Sequence, residues 1–289
     1  MHPTHHNRTA FITRPPSTLA EWLGCFSPAS LPVLANTAYR LEELRLVDEA
    51  ADAVDAHMLA EHIGVDPLAT LKLLAHVAAL RRGREGGEPE TVTAALVMLG
   101  IPPFFRAFGQ QPIAEDLLAV HPQALQGFTQ VLRRCRRAAN FAIGFAVHRM
   151  DHDAAVIHEA ALLHDFAELL LWLHAPALAL EIQARQEAEP TLRSAALQLA
   201  VLNIDLTELE HALMQAWHLP RLLVDITDDH AVQPNAQVRN VMLAIRVARH
   251  SANGWDNPAL PDDLRDIGQL LQLAPDAVER LLRDIDDEA

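Results

Sequence analysis

Ala160-Ala161-Leu162-Leu163-His164-Asp165-Phe166-Ala167-Glu168-Leu169 sets an adjacent His-Asp pair inside what is expected to be an apolar helix. Both groups are costly to bury without partners. Two explanations fit: a neutral imidazole and a carboxylate ligating a divalent metal, or a satisfied polar pair bonding neighbouring helices. Glu168 follows His164 by four residues, so on a helix the two share a side and could face one metal. Outward from this stretch the pattern is uniform. From about Leu19 to the end, apolar residues recur at three- and four-residue spacing and almost never alternate. A single tyrosine and abundant alanine further disfavour sheet. The chain is expected to be all-α, with no repeat of fixed period.

Helix boundaries follow from capping chemistry. Asp66-Pro67 supplies an N-cap and a first-turn proline for Leu68 to Leu80. Glu90-Thr91 opens a short helix that Gly100 closes, with Pro102-Pro103 expected to stop it continuing. Asp205 and Glu208 have capping-box spacing and start a helix running to about His218; Pro220 begins the next. Pro275-Asp276 opens the last helix, whose acidic end at Asp284, Asp286, Asp287 and Glu288 opposes the helix dipole and is expected to fray.

Composition removes several function classes. The 289 residues carry 38 acidic and 23 basic side chains for a net charge of −15, and half the residues are apolar. So acidic a chain is a poor binder of nucleic acid or anionic membrane. No apolar run reaches membrane-spanning length, and Met1 to Pro16 lacks a signal-peptide stretch. Two cysteines, Cys25 and Cys135, suit a reducing cytosol, so the expected location is cytoplasmic. Lys72 is the one lysine, and Gly83, Gly86 and Gly87 are interrupted by Arg84 and Glu85, so neither Schiff-base nor P-loop chemistry is expected.

Leu162-Leu163-His164-Asp165 resembles the central motif of the HD superfamily of metal-dependent phosphohydrolases, which includes the HD-GYP cyclic-dinucleotide phosphodiesterases. Phe166, Ala167 and Glu168 depart from the residues that usually follow it. The surroundings more closely resemble the HD-related output domain, HDOD, a relative that usually lacks a full catalytic set. Four elements carry that resemblance in order: Leu31-Pro32; Leu59-Ala60-Glu61-His62-Ile63-Gly64-Val65-Asp66-Pro67; Ala94-Ala95-Leu96-Val97-Met98-Leu99-Gly100; and Trp217-His218-Leu219-Pro220. They span about Pro28 to His250. The resemblance implies a multi-helix HD-like bundle. Its expected parts are a flexible His- and Pro-rich tail (1–16), an N-terminal helical subdomain (17–121), the HD-like bundle (122–250) and a C-terminal helical extension with an acidic end (251–289).

Set against an HD centre, ligands are missing. Asn140 stands near the place of the first histidine, and the intermediate histidine is absent around Asp205-Leu206, with His211 one turn further on. Asp229-His230 keeps half of a His-His pair, and Ala244-Ile245-Arg246 holds no aspartate. The degenerate positions are thus His164, Asp165, Asp229 and His230. No catalytic residue and no cofactor are expected; a weakly held divalent metal would draw on His164, Asp165, Glu168 and His230. Arg133, Arg134, Arg136 and Arg137 could clamp an anion or form a solvated helical face. Cys135 reads as a packing thiol. Asp225, Asp228 and Asp229 are a weak metal cluster or a wet helix end, and Phe104, Phe105 and Phe108 are core or a partner-binding ridge.

The resemblance implies a non-catalytic signal-transduction or scaffolding module acting through contact with other signalling proteins, linked to cyclic-dinucleotide or two-component pathways. Two alternatives stand beside it. One is a metal-dependent phosphohydrolase with a rearranged HD site; the other is a regulatory module that binds a nucleotide without hydrolysing it. Signal input is expected from a separate protein, with no membrane or nucleic acid among the partners.

Overall fold

The computed structural model describes residues 11–83, 89–189, 191–227 and 235–287. In chain order the helices are α1 (Leu19–Gly24), α2 (Ala35–Ala51), α3 (Ala56–Ile63), α4 (Pro67–Arg81), α5 (Val92–Leu99), α6 (Ile101–Ala107) and α7 (Ala114–Leu118). Next come the 28-residue α8 (Pro122–Arg149), α9 (Ala154–Leu163), α10 (Phe166–His174), α11 (Pro176–Ala188) and α12 (Ser194–Leu202). The described chain ends with α13 (Leu206–Ala216), α14 (Arg221–Ile226), α15 (Ala236–His250), α16 (Leu260–Leu271) and α17 (Pro275–Asp287). Among the described residues no strand forms, and the fold is all-α. The one sheet-like pairing there is a parallel bridge of Val33 with Ile113.

Three caps act as the sequence predicts: Asp66 Oδ1 accepts from the N–H of Leu68 and Ala69 at the head of α4, and Thr91 and Asp205 cap α5 and α13 in the same way. Asn235 caps α15, a position the sequence reading did not single out. Asp66 does more than cap. Its Oδ2 accepts from Leu34 N–H at 2.8 Å, pinning the buried Leu31-Pro32-Val33-Leu34 segment to α4. Lys72, one turn into α4, donates to Leu31 O and to Gln111 Oε1, and burial pushes its ammonium down to about 8. Two separated motif elements are therefore one physical joint. A second joint spans α9 and α5: Glu159 Oε1 accepts from Val92 N–H at 2.7 Å.

Helix α5 ends at Gly100 as expected, and a separate helix, α6, starts directly after it with Pro102-Pro103 in its first turn, where a missing N–H costs nothing. Two local expectations need correction. Of the expected tail, residues 11–16 belong to the folded body: Ile12 N–H donates to His174 O and Phe11 packs edge-on against His121. Residues 1–10 lie outside the described residues. The acidic end of α17 does not fray through Asp286, whose carboxylate takes two bonds from the Arg137 guanidinium, at 2.6 and 2.8 Å.

At the centre, α8 packs against α9, α10, α11, α15 and α17. Buried side chains form one continuous cluster from Trp22 to Leu282, running through all three of the expected helical divisions. Phe104 stacks on Phe108 within it, so that pair is core. No helix of the described residues is long and apolar enough to cross a membrane.

Candidate functional site

His164 and Asp165 do not lie inside a helix. Helix α9 ends at Leu163 and α10 begins at Phe166, so the pair forms the turn between them, with Asp165 at φ −107°, ψ 22°. That turn is buried, and what faces it is positive charge. Arg134 of α8 donates from Nε to Asp165 Oδ2 at 2.7 Å and from Nη2 to Glu168 Oε2 at 2.5 Å. Arg249, at the exposed end of α15, donates from Nη2 to Asp165 Oδ1 at 2.6 Å. His164 Nδ1 sits 3.1 Å from the same oxygen. Burial alone would raise the Asp165 carboxyl, but Arg249, then Arg134, with His164 beside them, hold it well below the usual carboxylate range.

These contacts bear on how His164, Asp165 and Glu168 could meet a metal. Both oxygens of Asp165 are taken up by guanidinium donors, Glu168 shares one of them, and a divalent ion placed there would meet two fixed positive charges. The described residues contain no group of three or more His, Cys, Asp or Glu arranged to hold a metal. The donor set does not fit the metal that an HD centre would carry. Asp229 and His230, with Asp228, lie outside the described residues.

The other expected residues are dispersed. The four arginines of α8 do not converge on one anion. Arg134 serves Asp165 and Glu168, Arg136 donates to Val65 O, Arg137 to Asp286, Ala248 O and Ser251, and Arg133 is exposed. Residues at relative positions 0, 1, 3 and 4 span an arc of about 160° on the helix, wide enough for the four to meet different neighbours. Cys135 is buried, and burial raises its thiol well above the ordinary value, so it is a packing group. Arg246, near the place of the missing aspartate, pairs with Asp263 and Asp266 instead. Asp225 pairs loosely with Arg221 on the surface of α14.

Sequence reasoning missed Arg249, three residues beyond the arginine it weighed. It also missed the cavity of about 550 Å³ that opens at the His164–Asp165 turn. Helices α8 and α10 form one side of it, and α11, α12 and the start of α13 the other; neither Asn140 nor His211 lines it. Trp172 of α10 does, closely packed on α8: a Cβ at Gly127 would come within 2.4 Å of its ring, so only glycine fits there. Trp217 of the Trp-His-Leu-Pro element rests against Phe166 with ring centroids 5.9 Å apart, bracing the same turn from the opposite flank.

Comparison with known proteins agrees with the all-α fold. Nothing among curated proteins matches the chain. Among solved structures it is similar to MmoQ, a response regulator of Methylococcus capsulatus: TM-score 0.65, 22% identity, covering 88% of this chain and 98% of that one. It is also similar to a virulence factor of Campylobacter jejuni, with TM-score 0.64 and 18% identity, covering 89% of this chain and 88% of the other. Both likenesses are of fold. The HDOD domain matches residues 31–232, which take in the Leu31-Pro32 and Asp66-Pro67 joint, the His164–Asp165 turn and the Trp217 brace, and the chain belongs to the HDOD family.

Proposed function

We propose that this chain is a non-catalytic signalling module of the cytoplasm that acts by binding partner proteins, in the setting of two-component or cyclic-dinucleotide signalling. One observation carries the non-catalytic half of the reading: the two guanidiniums on Asp165 stand where a phosphohydrolase needs a cation. A positive charge there neutralises the aspartate and ties α8, the α9–α10 turn and α15 together, but it supplies no exchangeable site for water or phosphate. The signalling half is supported by membership of the HDOD family and by the fold shared with a protein named a response regulator. A phosphohydrolase with a rearranged site would first have to free Asp165 from both arginines.

The deciding experiment is a phosphodiesterase assay on tag-free protein with bis(4-nitrophenyl) phosphate and with cyclic dinucleotides. Manganese, iron, nickel and magnesium are supplied in turn, and bound metal is measured by elemental mass spectrometry. The expected result is sub-stoichiometric metal and no turnover above that of the Asp165→Ala variant. Turnover that this variant and His164→Ala both abolish, with near-stoichiometric metal in the wild type alone, would overturn the reading.

A further inference from the structure

Helix α8 is packed on most sides at the centre of the fold, yet one strip of it faces outward. Ile143, Val147 and Met150 are 36%, 66% and 83% exposed, and they follow one another at spacings of four and three residues. The same alternation leads back along the helix to Asn140, Arg136 and Arg133, of which Arg133 is exposed and the other two partly so. All six lie within an arc of about 100°. An alternation of three and four is the seam by which one helix packs along another, and a strip of large apolar side chains left to water marks a contact surface. None of the six lines the cavity at the His164–Asp165 turn.

What fits this strip follows from its two ends. The N-terminal end is basic, and its charges ride on long apolar stems. Arg136 is held near the exposed Val65 by its bond to Val65 O at 3.0 Å. The C-terminal end is apolar and closes on the negative pole of the helix dipole, with Asp151 next in the chain. The cations of that last turn are already engaged: His148 Nε2 lies 3.2 Å from Leu271 O, and Arg149 donates to Leu270 O and to Asp151. Each end is thus the complement of the other, and the strip matches a second copy of itself running the opposite way. Parallel pairing would instead set Arg133 and Arg136 against their own counterparts. Between the two ends, the Asn140 carboxamide offers a donor and an acceptor that pair with those of an identical carboxamide and fix one register.

We propose that two copies of this chain associate by antiparallel pairing of their α8 helices, about a two-fold axis between Asn140 and Ile143. Arg136 and Arg133 of one copy then lie over Val147 and Met150 of the second copy, stems on apolar side chains and guanidiniums toward the helix end. A strip of six residues a side is small beside a permanent interface, so the dimer is weak and reversible. The pairing does not depend on the non-catalytic reading: the two concern different faces and fail separately.

The test is sedimentation equilibrium of the full chain from about 1 to about 300 µM, a range set by the small interface, with a reversible monomer–dimer equilibrium as the expected result. Val147→Glu places a charge in the seam and is expected to weaken the dimer at least about tenfold. Its side chain is two-thirds exposed, so the core is left alone. Met150→Gln, at the most exposed of these positions, serves if the first variant fails to fold. Arg133→Glu, at the opposite end, is expected to weaken the dimer about threefold or more. Leu199→Glu, exposed on α12, is expected to leave it unchanged. In a Cys25→Ser background, which leaves the buried Cys135 as the native thiol, Ile143→Cys should be joined to a second copy by a short bis-maleimide, and Leu199→Cys should not. A chain that stays monomeric at the highest concentration would overturn the proposal. So would a dimer that folded Val147→Glu and Arg133→Glu leave intact, or the absence of the Ile143→Cys cross-link.

Discussion

At the scale of single residues, two buried carboxyls are handled in opposite ways, and the difference is testable by pH. Asp165 is surrounded by donors and stays ionised. Glu159 has one backbone donor, Val92 N–H, and a second oxygen with no partner, and burial pushes its carboxyl up to about 8 from an ordinary 4.5. The folded state therefore holds a proton that the unfolded chain releases at lower pH. Its contribution to stability is fully present below about pH 4.5 and is lost progressively as the pH rises to about 8. Across that window the wild type is expected to lose up to about 5 kcal/mol relative to Glu159→Gln, which cannot ionise. Urea melts of both proteins at pH 5, 6.5 and 8 measure that difference; parallel curves would refute it. Asp165→Asn makes the opposite case. Removing the charge strands Arg134 and Arg249 beside a neutral amide, and a loss of about 3 kcal/mol is expected at pH 7, Arg249 being half-exposed and so partly screened. The same melts check it, and a variant as stable as wild type would show that the lock contributes no net stability.

Among the elements, α4 shows how a cap becomes a tertiary joint. Asp66 is fully buried and its carboxylate accepts three backbone N–H groups, from Leu34, Leu68 and Ala69. Asp66→Ala leaves all three without an acceptor and is expected to cost about 3 kcal/mol, above the usual range for a cap alone. Asp66→Asn, which still offers one acceptor oxygen, should cost less, and thermal denaturation orders the two. That cap was legible because Asp-Pro is a local signal; so were those of α5 and α13. What the sequence hid is the reach of Asp66 Oδ2 to Leu34, thirty-two residues upstream. The break between α9 and α10 was hidden for a related reason. Apolar periodicity runs straight through His164–Asp165, and only the two arginines, from α8 and α15, show why the pair turns inward. Arg249 pairs across eighty-four residues, a distance over which no spacing rule operates.

For the molecule as a whole, the question is what joins the end of the chain to the site. Helix α17 buries Val278 and Leu282 completely, and Ile285 lies where a Cβ on Gly144 of α8 would fall, 2.5 Å away. Asp286 of α17 holds Arg137 of α8, whose Nη2 also donates to Ser251, two residues beyond Arg249. Arg137 is in turn one helical turn from Arg134, which holds Asp165. The last helix therefore braces both elements that deliver the guanidiniums to the turn. If that brace is energetic and not merely adjacent, Arg137→Ala and Asp286→Ala should be non-additive. Each residue is about one-fifth to one-quarter exposed, so the coupling is partly screened, and about 1 kcal/mol is expected from the double-mutant cycle. Removing α17 altogether, by ending the chain at Ala274, should cost several times more, because two buried aliphatic side chains go with it at roughly 1.5–3 kcal/mol each. The Asp165→Asn change, measured again in that shortened chain, then separates the alternatives. If α17 helps hold the arginines in place, the penalty for losing Asp165 should shrink there; a penalty as large as in the full chain would show that the lock is set by α8 and α15 alone.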